Sequence, residues 1–141
     1  MIERTIKNLN ELQDFAGGFL EVLVPNKEGA TVVGLSGELG SGKTAFVKVL
    51  AKVLGVEEEV LSPTFVIAKF YPIPKDPRWK TLVHADLYRI DDPEELKALR
   101  FKDVLSDAKN LVVIEWPERA DIAPALRFQF VDETTRIVSR G

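Results

Sequence analysis

The octapeptide Gly37-Glu38-Leu39-Gly40-Ser41-Gly42-Lys43-Thr44 fits the pattern of a phosphate-binding loop, in which glycine and four variable residues precede Gly-Lys-Ser/Thr. Its glycines allow backbone angles at which successive N–H groups turn inward and cradle phosphate oxygens. Lys43 is predicted to bring a positive charge to the β- and γ-phosphates, and Thr44 to offer its hydroxyl to Mg²⁺. The residues predicted to bind nucleotide through this loop are Glu38, Leu39, Gly40, Ser41, Gly42, Lys43 and Thr44.

The residues on either side of the loop favour this interpretation over a glycine-rich turn that carries a surface lysine. Residues 31–36, Thr-Val-Val-Gly-Leu-Ser, are typical of a short buried strand. A stripe of apolar residues at helical spacing follows the loop, and a glycine ends it at the C-cap: Phe46, Val47, Leu50, Ala51, Leu54 and then Gly55. The order of strand, glycine loop and helix is the context that a phosphate-binding loop requires.

Length and composition set the limits of the whole chain. It has 141 residues, 45% of them apolar, which is enough for one domain, 1–141, with its own core. The net charge of −3 gives no sign of autonomous nucleic-acid binding, and the lack of cysteine excludes disulfides and zinc–thiolate sites. No apolar run follows the N-terminus or approaches the length of a membrane span. We therefore expect a soluble cytoplasmic protein without membrane association.

The strand signals predict a three-layer α/β fold of the P-loop NTPase type. Residues 65–71 and 81–85 are β-like, and the proline-rich connection between them is too short for a parallel crossover, so they are expected to pair antiparallel. Residues 110–115 are an apolar run typical of a central parallel strand covered on both faces. Residues 126–138 indicate a C-terminal hairpin. The prediction is a mixed sheet with a parallel centre and antiparallel flanking strands.

Two helix starts complete this pattern. Asn8 or Asn10 is expected to cap a first helix, whose apolar positions recur at helical spacing. Residues 91–95, Asp-Asp-Pro-Glu-Glu, combine acidic caps with a proline and first-turn carboxylates, which favour a helix start.

Three residues outside the loop are candidates for the rest of a nucleotide site. Asp86 and Glu115 each end a predicted strand, where a carboxylate can hold Mg²⁺ at the edge onto which the loop opens. Thr64, in Ser62-Pro63-Thr64-Phe65, is placed either to meet the γ-phosphate or Mg²⁺, as a switch-loop threonine does, or to act as a plain turn residue. His84, the only histidine, shares a strand face with Asp86 and is expected to be a hydrogen-bonded structural residue.

Three classes of nucleotide-binding protein can be compared on the residues alone. A GTPase carries an Asn-Lys-x-Asp element after a later strand, but the only Asn-Lys pair, Asn26-Lys27, precedes the loop, which favours adenine. A small-molecule kinase needs an arginine-bearing lid, and no arginine-rich insertion accompanies Arg100 or Arg119. A nucleotide-dependent partner protein with weak hydrolysis of its own fits best, because no arginine finger is evident. A nucleotide-sensing adaptor, in which ATP binding and not turnover carries the signal, is the alternative from a different class.

Five segments together resemble the TsaE family, small bacterial ATPases needed to make the threonylcarbamoyladenosine of tRNA. In chain order they are residues 37–44, Ser62-Pro63-Thr64-Phe65, His84-Ala85-Asp86-Leu87-Tyr88-Arg89, Asp92-Pro93-Glu94-Glu95-Leu96 and Glu115-Trp116-Pro117-Glu118. The resemblance covers roughly residues 5–138, and the combination is far more specific than the loop alone.

The resemblance implies a site and a partner. By analogy with the family, Thr44 and Glu115 hold Mg²⁺, while Asp86 and Thr64 lie close to the γ-phosphate of ATP. With Lys43, the residues Thr64, Asp86 and Glu115 form the predicted catalytic set. The chain around Asn8, from Lys7 to Leu9, and Arg136 of the C-terminal hairpin are expected to contact the nucleotide. The implied partner is the TsaB–TsaD heterodimer, whose cycle is reset by ATP hydrolysis and through which tRNA is reached only indirectly.

Overall fold

The computed structural model describes residues 3–61 and 67–140, and its centre is a seven-stranded mixed sheet. In chain order the strands are β1 (Glu3–Ile6), β2 (Thr31–Ser36), β3 (Ala68–Pro72), β4 (Thr81–Asp86), β5 (Asn110–Glu115), β6 (Leu126–Phe130) and β7 (Arg136–Arg140). The helices are α1 (Leu9–Val22), α2 (Lys43–Val53), α3 (Glu94–Ala98) and α4 (Phe101–Ser106), with a 3₁₀ helix at Pro117–Ala120. Across the sheet the strands lie in the order β1-β7-β6-β2-β5-β4-β3.

The predicted mixture of parallel and antiparallel pairs is confirmed. Strand β2 pairs in parallel with both β5 and β6, and β4 pairs in parallel with β5. The flanking strands β3, β7 and β1 are antiparallel to their neighbours. The short connection between β3 and β4 does force an antiparallel pair, in which Pro72 lies opposite Thr81. The first two residues of the predicted strand 65–71 lie outside the described residues.

Helices cover both faces of the sheet, because side chains alternate between the faces along each strand. On one face α1 and α2 pack against Leu35, Val113 and Phe128 in the larger core cluster. On the other face Leu96 of α3 and Phe101 of α4 pack with Val83, Val112 and Ile114. Strand β5 is buried along its whole length, as its uninterrupted apolar sequence predicts.

The helix starts follow the sequence signals, with local differences. Asn8 is the N-cap of α1: its side chain accepts a hydrogen bond from the Glu11 backbone N–H at 2.9 Å, and the Glu11 carboxylate accepts from the Lys7 N–H at 2.9 Å. Helix α2 ends at Val53 and its C-cap is Leu54. Gly55, which was expected to be the C-cap, is the next residue and has φ of +84°.

The helix predicted from residues 91–95 is short. It ends after Ala98, because Arg100 adopts a left-handed conformation with φ of 56°, and α4 begins directly afterwards. Among the residues that the structure describes, no helix is long and apolar enough to cross a membrane.

Candidate nucleotide-binding site

The loop between β2 and α2 needs glycine at two places for different reasons. Gly37 has φ of +144°, and a Cβ atom there would lie 2.5 Å from the Phe128 carbonyl oxygen and 2.7 Å from the Ser41 Oγ. Gly42 has φ of +105° and is the N-cap of α2, so a left-handed residue turns the chain directly into the helix. The loop is thus held against β6 and presents the N-terminus of α2, where N–H groups and the helix dipole favour an anion.

Lys43 is buried at the start of this helix and points back across the loop. Its Nζ donates a hydrogen bond to the Gly37 carbonyl at 2.5 Å and lies 3.8 Å from the centre of the Trp116 ring. Burial lowers the pKa of Lys43 below its usual value, and the negative charges of Glu115 and Asp86 oppose that shift. The ammonium group therefore sits inside the loop, beside the position where the loop would cradle phosphate oxygens.

Thr44 and Glu115 meet although 71 positions separate them in the sequence. The Thr44 hydroxyl lies 2.9 Å from Oε1 and 3.0 Å from Oε2 of Glu115. Only 3% of Glu115 is exposed, because it ends β5, next to β2. A threonine hydroxyl next to a carboxylate is the pair of oxygen donors that Mg²⁺ takes from a phosphate-binding site.

Asp86 ends the neighbouring strand at the same level. It lies directly opposite Glu115 in the parallel β4–β5 register, and its Oδ1 accepts a hydrogen bond from the Tyr88 N–H at 3.0 Å. Burial is the main cause that raises the pKa of Asp86, and the nearby Glu115 carboxylate adds to the shift. The two strand-end carboxylates thus occupy one edge of the sheet beside the loop, as the sequence predicted.

His84 lies directly behind these carboxylates. It is fully buried, and its Nε2 is 2.6 Å from Oε2 of Glu115. The expectation of a hydrogen-bonded histidine on the face of Asp86 agrees with this contact, but its partner could not be named from the sequence. Thr64, the other predicted member of this set, lies outside the described residues.

The donor set fits a magnesium ion that is bound together with phosphates. Mg²⁺ keeps several waters and takes only one or two protein carboxylates when phosphates supply the remaining oxygens. Within residues 3–61 and 67–140 no group of three His, Cys, Asp or Glu side chains is arranged to hold a metal. Thr44 and Glu115 are the residues that could hold such an ion, because their side-chain oxygens meet beside the loop, with Asp86 close by.

A cavity of about 280 Å³ opens on the other side of Gly42. Its walls include Lys7, Asn8 and Leu9 at the junction of β1 and α1, Gly42 of the loop, and Phe128 and Arg136 of the β6–β7 hairpin. Such a concave and largely apolar pocket, with a few polar groups, is typical of a small-molecule site. The structure thus brings together the two segments that the family resemblance assigned to the nucleotide, Lys7 to Leu9 and Arg136.

Arg136 is held in place by the hairpin and by the loop. Its Nη1 donates to the Asp132 carbonyl at 2.5 Å and to the Thr135 carbonyl at 3.0 Å, and its guanidinium carbon lies 4.6 Å from the centre of the Phe130 ring. A Cβ atom added at Gly42 would lie 3.6 Å from the Cγ of Arg136, so the arginine stem runs alongside the loop. The Nε atom is buried and has no partner within the described part of the chain. Since buried donors are normally satisfied, a ligand acceptor in the cavity would explain it.

Two features of the site were not assigned a role from the sequence. Trp116 covers Lys43 and packs against Tyr88 with ring centres 5.2 Å apart. Phe128 forms part of the cavity wall and lies against Gly37. Trp116 directly follows Glu115 in the sequence, which indicated that it lies near the site. Phe128 showed only the alternating pattern of a strand.

The fold and the loop define the P-loop class of protein. The family model of the threonylcarbamoyl adenosine biosynthesis protein TsaE matches residues 6–139. The chain therefore belongs to the TsaE family, whose members take part in tRNA threonylcarbamoyladenosine biosynthesis.

Curated relatives and a solved structure agree with this assignment. The tRNA threonylcarbamoyladenosine biosynthesis protein TsaE of Rickettsia prowazekii is 37% identical over 115 residues, which cover 81% of this chain and 73% of that protein. TsaE of Rickettsia bellii is 39% identical over 117 residues, covering 82% and 74%, and TsaE of Haemophilus influenzae is 35% identical over 106 residues, covering 74% and 64%. The crystal structure of YdiB from Bacillus subtilis is 23% identical and shares the fold, with a TM-score of 0.63 over 97% of this chain and 82% of YdiB.

Proposed function

We propose that the protein is a magnesium-dependent ATPase of tRNA threonylcarbamoyladenosine biosynthesis that acts on a TsaB–TsaD complex in the cytoplasm. The observation that carries the proposal is the contact of Thr44, next to the loop lysine, with both oxygens of Glu115 from a distant strand. This pairing joins a phosphate cradle to a metal-binding carboxylate. The family membership supports the role in the tRNA modification, and the missing guanine-reading element supports adenine.

In this proposal each residue acts through a contact of the site. The loop N–H groups and the start of α2 bind the phosphates, and Lys43 stabilises the charge that moves during phosphoryl transfer. Mg²⁺, held by Thr44 and Glu115, would neutralise phosphate charge. Asp86 orients the attacking water, and Arg136 with the chain around Asn8 binds the nucleoside part in the cavity beside Gly42.

Replacing Lys43 tests the proposal directly. Lys43→Ala is expected to lower the rate of phosphate release from ATP by about a hundred- to a thousandfold, since one electrostatic contact to the transition state is lost. Lys48→Ala is the matched control, because Lys48 is an exposed lysine of the same helix α2. A Lys43→Ala variant that hydrolyses ATP like the Lys48→Ala variant would remove the basis for the proposed site.

A nucleotide-sensing adaptor is the second candidate function. Among the described residues, no arginine is hydrogen-bonded to or ion-paired with Asp86 or Glu115, so no arginine finger is evident at these carboxylates. Glu115→Ala separates the two functions. If nucleotide still binds, hydrolysis is lost and the tRNA modification survives, binding alone carries the signal. If the modification is lost together with hydrolysis, turnover is required.

The partner is tested by measuring ATP hydrolysis with and without the TsaB–TsaD pair. The proposal expects a higher rate when the pair is present, because the partner would complete the slow site. An unchanged rate would contradict the proposed partner but leave the nucleotide site intact. Phosphate transferred to a small molecule instead of water would indicate a kinase.

A further inference from the structure

We propose that His84 is the positioning residue of the metal site, which fixes the Glu115 carboxylate by a hydrogen bond from Nε2 to Oε2. This inference rests on the proposed function, in which Glu115 holds Mg²⁺. It assigns His84 no contact with nucleotide, metal or water. Its role is to determine which way the carboxylate faces.

The two side chains meet because of the strand register. His84 and Asp86 point to the same face of β4, and Glu115 lies on the neighbouring parallel strand opposite Asp86. The His84 ring is fully buried between the apolar core and the site, and 2.6 Å separates its Nε2 from Oε2 of Glu115. The other ring nitrogen, Nδ1, has no partner among the described residues. Within the described residues, Glu115 is thus the sole partner of the ring.

The hydrogen bond from His84 fixes the rotation of the Glu115 carboxylate, which Thr44 alone cannot fix. The Thr44 hydroxyl has one hydrogen and lies almost equally far from both oxygens, 2.9 and 3.0 Å. Rotation of a carboxylate about its last bond is soft, so this hydroxyl does not choose between them. His84 contacts only Oε2, so this bond fixes Oε2 toward the core and leaves Oε1 facing Thr44, the side on which the proposed cation would bind. Hydrogen bonds of this kind commonly change metal affinity or activity about ten- to a hundredfold when they are removed.

A pair of amide substitutions tests the hydrogen bond. The side-chain nitrogen of glutamine reaches about as far as Nε2 of histidine and can donate to Glu115, whereas that of asparagine is one carbon shorter. The measurement is calorimetric binding of ADP, once with EDTA and once over a series of Mg²⁺ concentrations. We expect His84→Asn to raise, about ten- to a hundredfold, the Mg²⁺ concentration that produces half of the change in ADP affinity. The ADP affinity in EDTA should stay unchanged. His84→Gln should stay within about threefold of the parent.

Val113→Ala is the control that separates the positioning role of His84 from a structural one. Val113 lies opposite His84 in the β4–β5 register, so Val113→Ala loosens the same packing without removing a hydrogen bond. Should Val113→Ala change the Mg²⁺ dependence as much as His84→Asn, or should His84→Gln fail to restore it, the positioning role is wrong. The same holds if His84→Asn weakens ADP binding equally in EDTA, or leaves the Mg²⁺ dependence unchanged.

Glu115→Ala distinguishes the failure of this inference from a failure of the proposed metal site. If Mg²⁺ no longer changes the ADP affinity of Glu115→Ala, but His84→Asn keeps the Mg²⁺ dependence of the parent, only the role of His84 is refuted. If Glu115→Ala keeps the Mg²⁺ effect, the metal site itself is refuted and the inference falls with it. Should His84→Asn not fold, His84→Gln compared with His84→Leu provides the same contrast, because leucine fills the space without a donor.

Discussion

Gly37→Ala is expected to be among the most damaging single-methyl changes in the protein. The residue has φ of +144°, and the added Cβ would lie 2.5 Å from the Phe128 carbonyl oxygen. Phe128 cannot move away easily, since it is paired with Val138 in the β6–β7 hairpin. Backbone strain of about 1–3 kcal/mol and overpacking of about 1–3 kcal/mol add up to about 2–6 kcal/mol of lost unfolding free energy. At about 3–4 °C per kcal/mol for a chain of this length, we expect the midpoint of thermal unfolding to fall by roughly 6–24 °C.

The function should suffer along with the stability. To make room for the added methyl group, the loop must shift away from β6. Lys43 then loses its position, because its Nζ donates a hydrogen bond to the Gly37 carbonyl. A shift of about 1 Å in such a site can reduce the rate about a hundredfold.

Gly18→Ala is the matched control for this change and should have the opposite sign. Gly18 lies inside α1, and a Cβ atom there would meet nothing within 4 Å. The better helix propensity of alanine should then raise the unfolding free energy by about 0.8–1 kcal/mol. Calorimetric unfolding and phosphate release are measured on both variants. If Gly37→Ala unfolds within about 1 kcal/mol of the parent and keeps its activity, the steric reasoning about the loop is wrong.

Two further predictions concern the nucleotide cavity and the ion pair of the β3–β4 connection. Arg136→Ala should weaken ADP binding about tenfold or more, the loss expected for one hydrogen bond to a charged group; Arg127→Ala, an exposed arginine of the same hairpin, should not. Equal ADP affinities of these two variants, measured by calorimetry, would argue against a ligand contact at Arg136. Asp76 is hydrogen-bonded to Arg78 at 2.7 Å, and this contact lowers the pKa of Asp76 below its usual 3.8. The ionised form is therefore stabilised in the folded state, and this stabilisation is present above pH 3.8 and lost as the pH falls through the lower folded pKa. Asp76→Asn should reduce the unfolding free energy by about 0.5–1 kcal/mol at pH 7, as is usual for partly exposed pairs, and the difference should shrink in acid. A difference that is constant between pH 7 and pH 2 in urea unfolding would refute this account.

The phosphate-binding loop, the strand before it and the helix after it could be predicted from sequence, since all of their signals are local. The same holds for the antiparallel β3–β4 pair, because a short proline-rich connection leaves no room for a crossover. Asp86 and Glu115 could be placed at strand ends, and the carboxyl ends of parallel strands share one edge of a sheet. Arg136 and Asn8 were predicted to contact the nucleotide only through the family resemblance, because nothing in their local sequence points to a ligand.

The tertiary structure alone decided which side chains meet in the site. The sequence does not contain the register that sets Asp86 opposite Glu115, nor the strand order that puts β5 next to β2 and brings Thr44 within 2.9 Å of Glu115. It could name His84 as a hydrogen-bonded histidine, but its partner lies 31 residues away on another strand. Local propensity acts over a few residues, while these contacts depend on how distant strands pair. The sequence by itself thus determined that the protein has a phosphate cradle and two strand-end carboxylates, and the packing of the sheet decided how they face one another.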